Sequence, residues 1–395
     1  MTDIFDSLTA TAANDGVHVM LEELAQSLRE RHRWHALFDL RLMQARIKLG
    51  LPPTGDIGTP NAATQEQLDQ ASLTACSEVG WPLLEAGEVT AAWMYLRATS
   101  AQNEVAKKLA ELAASPPEDE ETAMAQMQDI IQVALWENVD PALGIRLVIE
   151  SQGTCNSITA FDQVITRLPG FQQQSAIAVL VRHLNEELCE ALKNDLAQRD
   201  RTDKKKLSEA LSITELLESA GGLHDDPSFH VDVSHLQSVL RFARISTDME
   251  IIQLAWELAV YASRLPENVT YPGEPPFEKV GEASCLFFGA LLGKNVDEAL
   301  AFFRKAITPE RIAAGETLPS DTLLFLLSRL GRSADAVHVA LERPPQSNMP
   351  SMFQAAGMLP SLVELAIKGN KLDDVRHACR ERGDEITFAA TWLNT

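Results

Sequence analysis

Along nearly all of the 395-residue chain, apolar residues recur at three- and four-residue spacing, and strict apolar–polar alternation is almost absent. That period lines one face of an α-helix, whereas alternation would line one face of a strand. Val17, Met20, Leu21, Leu24 and Leu28 form one such stripe, and Trp34, Leu37, Phe38, Leu42, Ala45 and Leu49 form the next. The spacing predicts helices over 17–29, 34–49, 64–79, 90–114 and 119–136, with the Pro- and Gly-rich stretch 51–63 as loop. Ser115 is positioned to cap the last of these, ahead of Pro116, Pro117 and an acidic run that suits a positive helix end. With 45% apolar and 23% charged residues the chain can bury a core. An all-α fold follows.

The middle of the chain has a different rhythm. After Pro169-Gly170, the stripe Ile177, Leu180, Leu184, Leu188, Leu192 and Leu196 predicts one long helix over 171–198. The polar stretch RDRTDKKK (199–206) reads as a turn, and a second helix returns over 207–219. The expectation is a long helical hairpin with Lys204–Lys206 as a solvated tip. The organisation expected is N-terminal helices over 1–150, a central hairpin-bearing region over 151–280, and C-terminal helices over 281–395.

Self-similarity sharpens this picture. GEVTAAWMYLRA, ENVDPALGIRLVI, KNVDEALAFFRKAI and GRSADAVHVALER superimpose without gaps, each with Ala sixth, at Ala92, Ala142, Ala299 and Ala336. RHRWHALFDLR fits with Ala36, and GNKLDDVRHACRER fits apart from Asp374. An apolar helix precedes most copies, so the unit is helix, tight polar turn, helix. A small residue at a fixed place lets two such helices approach closely. In these residues the chain resembles tetratricopeptide-type repeats, with LLGKNVDEALAFFRKAI the best match and Ala306 at the second small position. The resemblance covers roughly half of the chain and skips 150–280. It implies a right-handed α-solenoid of antiparallel helix pairs whose groove holds a protein or peptide partner.

Charge and cysteine usage narrow the partners. Against 34 basic residues stand 56 acidic ones, a formal net charge of −22. Such a surface repels phosphate backbones and anionic lipids, so neither nucleic acid nor a membrane is an expected partner. The five scattered cysteines form no C-x-x-C, and the N-terminus has acids where a secretion signal needs bases. A cytoplasmic protein is expected.

One segment could carry chemistry. GGLHDDPSFHVDVSH (221–235) places three of the nine histidines close to three aspartates. His230, Asp232 and His235, completed by His224 or Asp226, are a mixed imidazole–carboxylate set that suits Zn²⁺, Mn²⁺ or Fe²⁺. The competing expectation is structural: Asp232 or Ser234 caps the next helix and the histidines hydrogen-bond locally. His32, His35 and Asp39 share a helix face, but neighbouring Arg31, Arg33 and Arg41 oppose a cation there. No G-x-S-x-G, H-E-x-x-H, G-x-G-x-x-G or P-loop occurs. A partner-binding scaffold is the first functional expectation, a metal-dependent enzyme using the 224–235 loop the second. A closed α/α toroid handling sugars ranks third, because six Trp and three Tyr are a thin supply of stacking rings.

Overall fold

The computed structural model describes residues 3–198, 212–219, 230–343 and 350–393. Among the described residues all regular structure is helical, and no strand occurs. The chain divides into two compact units, Met1–Gly144 and Ile145–Thr395.

The first unit contains α1 (Ile4–Asn14), α2 (Val17–Glu30), α3 (Trp34–Lys48), α4 (Ala62–Glu85), α5 (Val89–Leu96), α6 (Gln102–Ala114) and α7 (Glu120–Ile131). A π-helical turn, Gln132–Trp136, extends α7, and α8 (Pro141–Gln152) carries the division between the units. Helices next to each other in the chain pack together: α1 on α2, α2 on α3, α3 on α4, and α4 on α5. Glu78 of α4 ties this bundle by pairing with Arg29 of α2 and with Arg41 of α3, the latter at 2.8 Å. The helix expected over 90–114 is interrupted, since 97–101 turn between α5 and α6. The expected cap at Ser115 is corrected as well. Asp119 caps α7, its carboxylate accepting from Thr122 N at 2.8 Å, because the two prolines carry the chain onward before the helix begins.

The second unit continues with α9 (Thr154–Gln163), α10 (Gly170–Gln198), α11 (Ile213–Ser219), α12 (Val233–Ala243) and α13 (Met249–Ala262). Then come α14 (Val280–Leu291), α15 (Val296–Lys305), α16 (Pro309–Ala313), α17 (Leu318–Arg329), α18 (Ser333–Glu342) and α19 (Met352–Ala355). The last three are α20 (Leu362–Gly369), α21 (Leu372–Arg382) and α22 (Glu385–Ala390). The long helix expected at 171–198 is α10, and α11 packs against it through buried Ile213, Leu216 and Leu217. The hairpin tip with Lys204–Lys206 lies outside the described residues.

From α13 onward the packing again follows chain order: α13 on α14, α14 on α15, α15 on α17, α17 on α18, α18 on α20, and α20 on α21. The core of this run is aromatic. Phe277, Phe287, Phe303, Phe325 and Phe353 are all buried, with Phe325 and Phe353 stacked at 4.8 Å and Phe277 and Phe303 at 5.6 Å. Burying each such ring contributes about 2–3 kcal/mol.

The repeated small position behaves unevenly. Ala92, Ala299 and Ala336 are fully buried, as a close helix contact requires. Ala36 and Ala142 are only half-buried and Asp374 is exposed. In the second copy the close contact has moved to Gly144, where a Cβ would stand 2.6 Å from Leu135 Cβ. Near the C-terminus the same task falls to Gly369, whose Cβ would meet Ala334 N at 2.7 Å.

Candidate functional site: a cavity with a buried arginine

Within the second unit, α12, the loop 271–275, the turn 314–319 and the start of α19 line an open cavity of about 1100 Å³. Helix α12 supplies one wall by its period. Leu236, Val239, Leu240 and Ala243 are buried, while Ser234, Gln237, Arg241 and Arg244, at steps of three and four residues, face the cavity. Phe242 stacks on Phe161 of α9 at 4.3 Å, which fixes the rotation of the helix.

The C-terminal end of α12 is clamped. Gln174 of α10 donates to Ile245 O at 3.0 Å and accepts from Thr247 N at 2.8 Å. Arg329 of α17 donates to Ser246 O at 3.2 Å. The opposite rim is held by Gln237 donating to Tyr271 O at 2.7 Å. Within that rim, Gly273 N donates to Glu278 O at 3.1 Å, and a Cβ on Gly273 would stand 2.3 Å from Phe277 O. Only glycine lets the loop fold back so tightly. Below it, Asp321 is fully buried and accepts from Ser351 Oγ at 2.6 Å and from Arg343 Nη2 at 3.0 Å. Arg343 Nε approaches the other carboxylate oxygen at 2.6 Å as an ion-pair contact without hydrogen-bond alignment. Burial pushes the Asp321 carboxyl up, against the opposing pull of Ser351 and Arg343.

Arg244 is the unusual member of the wall. It is 5% exposed, its guanidinium lies 3.4 Å from the Phe277 ring centroid, and its Nε has no hydrogen-bond partner. No carboxylate among the described residues pairs with it. Arg241 is already taken by Asp162 at 2.9 Å, and Glu316 contacts Arg311 at 3.6 Å. Glu274, at the rim, is exposed. Burial, and then repulsion from Arg241, lower the Arg244 guanidinium to about 9, so it still carries its charge at neutral pH.

Of the histidine-rich segment, His230, Asp232 and His235 are among the described residues. The His230 side chain, 4% exposed, contacts Asp195 Oδ2 of α10 through Nε2 and Tyr261 Oη of α13 through Nδ1, both at 3.1 Å. Tyr261 is fully buried, and burial pushes its phenol up. Asp232 is exposed and caps α12, accepting from Ser234 N at 2.7 Å and from His235 N at 3.3 Å. The bond to Ser234 Oγ holds its carboxyl low. His235 is half-buried in the first turn of α12. His230 and Asp232 therefore have separate partners. His224 and Asp226 lie outside the described residues. Among the described residues no group of three His, Cys, Asp or Glu side chains is placed to hold a metal ion.

No protein-family model, curated protein or solved structure matches this chain. The cavity stands on its own geometry. Sequence reasoning did not single out Arg244. The available signal was LRFARIS, a cation set one helical turn after Arg241 among residues whose spacing marks them for burial.

Proposed function

We propose that the chain is a cytoplasmic helical-repeat scaffold, a right-handed α-solenoid of antiparallel pairs, that binds a protein or peptide segment in the cavity of its second unit. The observation that carries this reading is the cavity itself. At about 1100 Å³ it lies at the upper end of the 300–1000 Å³ typical of ligand sites, which leaves room for several side chains. Apolar Val280, Leu318, Pro319 and Met352 line it beside the hydroxyls of Ser238 and Thr317. Such a mixture of apolar contact area with a few polar groups is what side-chain recognition uses. The chain-order packing from α13 to α21 and the burial of Ala299 and Ala336 support a stacked-repeat architecture. The acidic surface speaks against nucleic acid and anionic membranes. Among the described residues no helix is long and apolar enough to cross a membrane.

The test is selection of displayed random peptides on the full chain, followed by affinity measurement on a cavity-filling variant. Ser238→Trp places an indole in the cavity and is expected to weaken the selected peptides at least about tenfold, as loss of a central contact does. Absence of any enriched peptide, or equal binding by Ser238→Trp, contradicts the reading.

A further inference from the structure

We propose that the cavity holds a singly charged carboxylate group of its ligand, with the Arg244 guanidinium as the anchoring cation. This deepens the cavity reading above and rests on it. A buried charge without a partner is costly, and buried arginines are ordinarily satisfied by a carboxylate or by several carbonyls. Among the described residues Arg244 has neither, although Arg241, one helical turn away, has Asp162 and the buried Asp321 has Arg343. The surrounding structure is therefore well able to pair its charges, and among the described residues the Arg244 cation on the cavity wall is left without a carboxylate.

The geometry favours a planar anion. The guanidinium carbon of Arg244 lies over the Phe277 ring, 3.4 Å from its centroid, so the ring occupies that side of the group. Binding is then left to the edge, where a coplanar carboxylate accepts two parallel N–H bonds. Charge balance favours a single negative charge. Among the described residues one unpaired cation lines the cavity, beside the exposed Glu274, so the second charge of a phosphate dianion would find no cation to pair with. Among the described residues Glu274 is the carboxylate whose charge raises the Arg244 pKa, yet it forms no ion pair with it. In the occupied site it stands as a competitor of the ligand.

The experiment follows the thermal melting of the full chain at constant ionic strength, with chloride as reference. The probes are propionate, N-acetylalanine, N-acetylalaninamide and inorganic phosphate. A saturable rise in Tm with a carboxylate probe and none with the amide or phosphate is expected. Propionate acting as well as N-acetylalanine assigns the site to free acids, whereas N-acetylalanine alone assigns it to a chain terminus. Arg244→Met should weaken the response about 10- to 100-fold, the usual span for a charged hydrogen-bonding partner. Glu274→Gln should tighten it about two- to fivefold by removing the competing charge. If Arg244→Met does not fold, Glu274→Gln decides: tightening supports the assignment, and an unchanged affinity overturns it. Equal response to acid and amide, response to phosphate alone, or unchanged binding in both variants also overturns it. Peptides that Ser238→Trp still excludes, in a protein that binds no carboxylate, would remove the carboxylate anchor and leave the cavity reading intact.

Discussion

Replacing Arg244 by methionine should make the unliganded protein more stable. Holding the guanidinium down at about 9, well below its ordinary value, corresponds to a cost of roughly 4–5 kcal/mol, dominated by desolvation. Stacking on Phe277 at 3.4 Å returns about 2 kcal/mol of that. Methionine keeps most of the apolar stem and makes its own sulfur contact with the ring, so little packing is lost. The net gain is about 2–3 kcal/mol, which in a unit of this size raises Tm by roughly 4–12 °C. Buried ion groups replaced by apolar residues gain stability over a similar range. The pH dependence fixes the cause. The folded-state pKa lies below the unfolded one, so the cost is fully present below pH 9 and fades as pH rises from there towards the unfolded value. The advantage of Arg244→Met over wild type should be constant near neutrality and shrink above pH 9. Differential scanning calorimetry of both proteins across that range provides the assay. A variant that melts lower than wild type, or an advantage indifferent to pH, would refute the claim that the guanidinium is buried and unpaired.

Other substitutions probe the frame around the cavity. Ala299→Leu and Ala336→Leu should each destabilise by about 1–3 kcal/mol through overpacking, while Ala142→Leu, half-buried, should cost much less by denaturant titration. Phe325→Ala removes a ring from the aromatic core and should cost about 3–5 kcal/mol. Asp232→Ala should cost about 1 kcal/mol as a lost helix cap, with the helical content measured by circular dichroism nearly unchanged. Because the folded-state pKa of Asp321 is raised, its charge weighs against the folded state at neutral pH, and protonation relieves that as pH falls through the folded value. Wild type should therefore gain on Asp321→Asn as pH is lowered, and a constant difference in Tm would contradict this.

How much was legible beforehand differs from element to element. The helical nature of the chain was plain because a 3.6-residue period is repeated in nearly every segment. The long stripe from Ile177 to Leu196 located α10 within one residue of its start. Interruptions were harder. Nothing in the composition of 97–101 marks the turn between α5 and α6, because no Gly or Pro falls there and the break comes from packing. Of the small-residue pattern, Ala92, Ala299 and Ala336 are fully buried. At the second copy Gly144, two positions beyond Ala142, makes the close approach instead. Local patterns also described the histidine segment only in part. The capping role of Asp232 follows from its place before a helix, but the contacts of His230 with Asp195 and Tyr261 span 35 and 31 residues. Arg244 is the clearest limit. Periodicity marks its position for burial, but whether a distant carboxylate meets it is decided only by three-dimensional packing.

Hydrogen–deuterium exchange of the full chain, with and without a selected peptide, tests the central claim most directly. Slowed exchange is expected at the backbone amides that frame the cavity, in residues 234–244, 271–274 and 314–318, with Arg244→Met reducing that protection. Protection confined to the first unit, or to surfaces of the second unit away from these segments, would contradict it.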